Sequence, residues 1–82
     1  MNKSVYYLEH RDSGRRLKWY KTLTGARIAQ KLRNSNLGFG ELVERELVED
    51  KEVCWYKTRT GSETVGTWII VEDVIDSVDL LE

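Results

Sequence analysis

The stretch SVYYLEHRDSGRRLKWYK, residues 4–21, constrains this fold more than any other part of the chain. Two runs rich in β-branched and aromatic residues flank a short turn. Gly14 suits the left-handed position of a type I turn with a bulge. The stretch reads as a hairpin, so the sheet is antiparallel from its first pair of strands. A three-residue loop pairs Arg11 with Arg15 and Tyr7 with Trp19. One face then carries Val5, Tyr7, Leu17 and Trp19. The other carries Tyr6, Leu8, His10, Arg16, Lys18 and Tyr20. A slip of one residue re-sorts both faces.

Residues 22–38, TLTGARIAQKLRNSNLG, follow as a helix. Thr22 or Thr24 suits the N-cap, and Asn36 and Gly38 are stop signals. Leu23 stands where it can staple back onto the first turn. Ile28, Ala29 and Leu32 fall on one side, which the pattern predicts to be the buried one. Arg27, Lys31 and Asn34 fall on the other. Residues 40–50, GELVERELVED, fit a strand or a helix, with a small margin for a strand. Residues 52–58 and 64–71 are strands joined by RTGSE, a second hairpin. In the tail, Val74, Ile75, Val78 and Leu81 are at helical spacing, so 72–81 is predicted as a short acidic helix. The order β-β-α-β-β-β-α is α+β: an antiparallel sheet of about five strands, one packed helix and a short C-terminal acidic helix.

WYKTLTG at 19–25 and WYKTRTG at 55–61 match at six of seven positions. The match stops there. A helix follows the first copy and a strand follows the second. A duplication would extend further. Each copy is read as a strand that ends in aromatic residues, with Thr and Gly at its exit. Residues 1–82 are expected to form a single domain, with a core whose size is limited by the length of the chain.

Few catalytic groups are available. His10 is the only histidine and Cys54 the only cysteine. Neither a histidine metal cluster nor a zinc or iron–sulfur spacing can be built from them. Phosphate-loop and nucleophile-elbow motifs are absent. Cys54 and His10 could pair as nucleophile and base. A cysteine between Val53 and Trp55 reads better as a small buried residue. Asp73, Asp76 and Asp79 form a partial stripe on the expected helix and read as a solvated face. The expectation is a protein that is not an enzyme and has no cofactor and no metal. The chain opens without a signal-like apolar run and holds no stretch of membrane-spanning character, so the cytosol is expected and no membrane contact.

Charge is divided along the chain. Residues 1–36 hold nine Lys or Arg against Glu9 and Asp12, a balance of +7; residues 37–82 hold four against twelve acids, a balance of −8. The basic half supplies the candidate binding residues. Arg15 and Arg16 lie at the hairpin turn, Lys18 and Tyr20 along its second strand, and Arg27 and Lys31 on the helix. Positive charge attracts phosphates, and exposed aromatic rings stack on unpaired bases, so RNA or single-stranded DNA is one reading. The acidic half suits a basic groove on another protein. The split itself favours an oriented encounter with a macromolecule. It also permits head-to-tail self-association, a homodimer included.

Residues 6–40 resemble small early, accessory proteins of tailed bacteriophages. The likeness rests on the N-terminal hairpin, on Lys21-Thr22 and Gly25-Ala26 at the helix start, and on Arg33-Asn34 with Gly38 at its end. It covers under half of the chain, and its motifs are structural punctuation. It implies a non-enzymatic accessory that binds and redirects a host enzyme or blocks a host defence factor, in the host cytoplasm. It transfers no functional residue position by position.

Overall fold

The computed structural model describes residues 2–76 as an α+β unit, one helix packed on a six-stranded antiparallel sheet. The elements are β1 (Asn2–His10), β2 (Arg16–Tyr20), α1 (Leu23–Asn36), β3 (Leu42–Val48), β4 (Lys51–Lys57), β5 (Glu63–Val65) and β6 (Trp68–Asp76). The strands run β2-β1-β6-β4-β3 across the sheet, and β5 pairs with β4.

The first hairpin forms with Tyr7 opposite Trp19. Nearer the turn the register shifts by one, so Glu9 meets Arg16 where the expected register puts His10, and Arg11 does not pair with Arg15. Leu17 and Lys18 together stand opposite Leu8, a bulge in β2. The bulge exchanges the expected faces of two residues. Leu17 joins the cluster under α1, and Arg16 turns to the opposite face beside Glu9. Residues 42–48 resolve as a strand. A two-residue turn joins β3 to β4, with Glu49 and Asp50 at φ 49° and 66°.

Two corrections concern the chain after residue 62. The strand expected over 64–71 is broken at Gly66 and Thr67 into β5 and β6. Trp55 pairs with Val65, but Glu52 pairs with Ile70, so two extra residues bulge between them. The C-terminal helix predicted to begin at residue 72 does not begin there. Glu72 to Asp76 continue β6, because β1 offers a nine-pair ladder from Asn2↔Asp76 to His10↔Trp68. Residues 77–81 of that prediction lie outside the described residues. Asp73 is therefore a strand residue, and the helical spacing of the acidic stripe does not apply to it.

Thr22 caps α1, its hydroxyl accepting the Gly25 N–H at 3.0 Å. The helix lies over β6, β1 and β2, where Leu8, Ala26 and Ile70 form the core with Tyr6, Tyr20, Leu23 and Trp68 around them. Its orientation reverses the expectation at Ile28, Leu32 and Asn34, whereas Ala29 packs on the core and Lys31 is exposed as expected. The inward stripe is Ala26, Gln30 and Asn34, all fully buried. Ile28 and Leu32 point outward, 66% and 61% exposed.

The bulge explains the reversal. Asn34 Oδ1 accepts the Trp68 N–H at 3.0 Å, and Gln30 Nε2 donates to the Trp68 carbonyl at 2.9 Å. Asn34 Nδ2 donates to Tyr56 Oη at 3.1 Å and to the same carbonyl at 3.3 Å. Helix amides thus replace the ladder bonds that the bulge breaks. Gly66 permits the approach, since a Cβ there would sit 2.7 Å from the Tyr56 ring and 2.8 Å from Asn34 Nδ2.

Asn34→Ala is expected to cost about 1–3 kcal/mol, because it orphans the part-buried Trp68 N–H. Ile28→Ala on the outer side is expected to stay within about 0.5 kcal/mol of wild type. Urea denaturation checks both, and the reverse order would refute the helix orientation.

Candidate functional site

The six basic-surface residues do not share one surface. Three are engaged by other residues of the fold, although the Arg16 and Arg27 side chains stay 42% and 43% exposed. Tyr20 is half-buried against the Leu8–Ala26–Ile70 core. Arg27 forms a two-pronged pair with Glu52, Nε to Oε1 at 2.9 Å and Nη2 to Oε2 at 3.1 Å. This hydrogen-bonded carboxylate pushes Arg27 above its ordinary pKa. Arg16 lies on the face away from α1, with Nε 3.2 Å from Glu9, Nη1 3.5 Å from Asp73 and its guanidinium over the Tyr7 ring. Arg15, Lys18 and Lys31 are exposed, with no ion pair among the described residues.

Glu9 is the acceptor on that far face. It is buried on β1 and takes Lys51 Nζ at 2.7 Å as well as Arg16. The Lys51 hydrogen bond, opposed by burial and aided by Arg16, holds its carboxyl below the ordinary value. Glu52 plays the matching part beneath α1. It joins Arg27 to Arg45, whose Nη1 lies 3.1 Å from Glu52 Oε1 and 2.6 Å from Gln30 Oε1.

Cys54 sits within this second network. Its thiol donates to Gln30 Oε1 at 3.0 Å and accepts from Arg45 Nη1 at 3.1 Å. It is buried as expected, but polar neighbours surround it. Burial pushes the thiol above its ordinary pKa, outweighing the pull of Arg45. Burial also raises Tyr56. His10 is engaged elsewhere: Nδ1 accepts the N–H groups of Asp12 and Ser13, and its ring meets the Trp68 indole edge-on. Cys54 and His10 therefore do not form a nucleophile–base pair.

Two surface features remain. The outer ridge of α1 carries Ile28, Leu32, Lys31 and Ser35 around a shallow hollow. Beside the helix, a hollow of about 380 Å³ opens between Tyr6, Leu23, Ile70 and Leu47, with the Arg27–Glu52–Arg45 chain along one wall. The ridge is legible in the sequence as an apolar pair at i and i+4, on the side that the pattern predicts to be buried and the structure turns to solvent. Gln30 and Asn34, also at i and i+4, carried the opposite signal. Among the described residues, no group of His, Cys, Asp and Glu is placed to hold a metal ion, and no helix is long and apolar enough to cross a membrane. Comparison with known proteins found no family model, no curated protein and no solved structure that matches the chain.

Two outcomes follow from the buried charges. Glu9→Gln is expected to lower stability by about 1–2 kcal/mol near neutral pH. The lowered pKa means that the Glu9 contribution is complete above the ordinary value of about 4.3 and is lost as pH falls through the depressed one. The gap between variant and wild type should narrow as pH falls below the ordinary value, and a constant gap in pH-dependent urea titrations would sink the assignment. The Cys54 thiol should react with a thiol reagent at least about a hundredfold slower in the native protein than in the unfolded chain.

Proposed function

We propose that this chain is a non-enzymatic binding protein that docks a host protein, as the resemblance to small phage early proteins implies, and that its contact is the outer ridge of α1. It acts in the host cytoplasm by occluding or altering its partner. The reversed helix carries the proposal. Its polar stripe faces the sheet, and Ile28 and Leu32 face solvent. Full burial of such a side chain is worth about 1.5–3 kcal/mol, and at 66% and 61% exposure only part of that is realised. A partner with a small apolar pocket would recover part of that. Lys31 beside the ridge favours acidic groups on the pocket rim, and Arg15 and Lys18 add long-range attraction.

Binding of RNA or single-stranded DNA remains the second reading, supported by the same exposed cations. The ring expected to stack, and two others near the cations, are engaged. Tyr20 is turned into the core, Arg16 lies over Tyr7, and Trp68 is enclosed by His10 and Arg33. Single-strand binders stack bases on accessible rings.

Ile28→Glu/Leu32→Glu should fold normally and lose capture of the partner from host lysate, while Lys18→Glu should mainly slow association. Nucleic acid that co-purifies, leaves at high salt and is lost with Lys18→Glu but not with the ridge variant would replace the first reading with the second.

A further inference from the structure

The division of charge along the sequence reappears as a division across the sheet. β2 and β3 end the β2-β1-β6-β4-β3 path of the sheet, and the three-residue β5 is paired on one side only, to β4. Beside and along β2 stand Arg15, Lys18 and Lys21, all exposed. Beside and along β3 stand Glu41, Glu44, Glu49 and Asp50, likewise exposed. None of these seven has an ion pair among the described residues. Arg45, the one cation within β3, is withdrawn beneath α1 onto Glu52 and Gln30.

The two edges do not neutralise each other within one copy. Three strands lie between them. Four inter-strand steps of about 4.8 Å put them about 19 Å apart along the sheet. Screening at physiological ionic strength acts within about 8 Å. Each edge also presents unpaired backbone donors and acceptors, and β3 adds Leu47 at 72% exposure.

We infer that the basic edge of one copy docks on the acidic edge of another. Pairing of like edges is disfavoured, since a two-fold contact sets β3 glutamates against β3 glutamates, or Lys18 against Lys18. Unlike edges attract. The contact is therefore head-to-tail, and each added copy offers the same two edges again, so assembly continues unless a ring closes. Bulges at Leu17–Lys18 in β2 and at Val43 in β3 shorten the regular stretch on each edge. They keep the contact weak, reversible and governed by charge.

Sedimentation of the full chain tests this. Wild type should gain mass with concentration at about 0.01 M ionic strength, where screening extends ~30 Å, and bind itself at least about tenfold more weakly at 1 M, where it extends ~3 Å. Arg15→Glu/Lys18→Glu gives a chain with two acidic edges, and Glu41→Lys/Glu44→Lys/Glu49→Lys gives one with two basic edges. Each alone should stay monomeric with an unchanged circular dichroism spectrum, and an equimolar mixture should regain assembly. A monomeric wild type at low salt, assembly by either variant alone, or a mixture that stays monomeric would overturn the inference. Ile28→Glu/Leu32→Glu should assemble like wild type. Loss of assembly there would move the self-contact to the helix ridge and overturn the edge contact. The test needs no host partner, so it stands or falls apart from the proposed function.

Discussion

The peptide group of Trp68 is the point on which the rest of this structure depends. It lies in a two-residue bulge where β4 changes partner from β5 to β6. A buried peptide without ladder partners is costly, about 1–3 kcal/mol for each unsatisfied group. Asn34 and Gln30 supply those partners from the helix. In return the bulge supplies partners for two fully buried side-chain amides. Among the described residues no buried side-chain nitrogen or oxygen lacks a hydrogen bond. The exchange fixes the rotation of α1 about its axis. With Gln30 and Asn34 inward, residues 28 and 32 must face out, since they lie roughly half a helical turn away. The apolar ridge is thus a geometric consequence of a polar requirement inside the protein.

The charges divide in a similar way. Glu9 and Glu52 each collect two cations, Lys51 with Arg16 and Arg27 with Arg45. These pairs join strands and helix on opposite faces of the sheet, and they partly neutralise four cations within the fold. The charges left over matter more for recognition than the total. They are cationic at the β2 edge and acidic at the β3 edge. A count along the sequence cannot separate consumed charges from remaining ones, because Glu9 belongs to the basic half and the cation Lys51 to the acidic half.

Local signals carried over well from sequence to structure. Gly14 marked the first turn, Thr22 the helix start, Gly38 its end, and RTGSE the second hairpin. Each acts through backbone preferences within a few residues. The errors came from interactions at long range. The apolar pair Ile28–Leu32 predicted the buried side of α1, but the bulge thirty-odd residues later required amides there. The bulge in β2 exchanged Leu17 and Arg16, and no nearby residue announces it. Val74 and Ile75 fitted a helical period, yet the long β1 offered them a complete ladder. Of the six predicted contact residues, Arg16, Arg27 and Tyr20 were engaged by Glu9, Glu52 and the core, all partners at a distance in the chain or in the fold.

The ridge and the edges point in different directions, and this separates their roles. α1 lies on one face of the sheet, whereas β2 and β3 end it within its own plane. A copy docked edge to edge therefore leaves the neighbouring ridge uncovered. Two apolar side chains and one lysine make a small contact, below what a stable interface usually buries. A row of such ridges on linked copies would raise the effective concentration of each for its neighbour's partner, and weak single contacts would then act together. The charged edges thus bear on how strongly the apolar ridge can hold, although they need never touch the partner themselves.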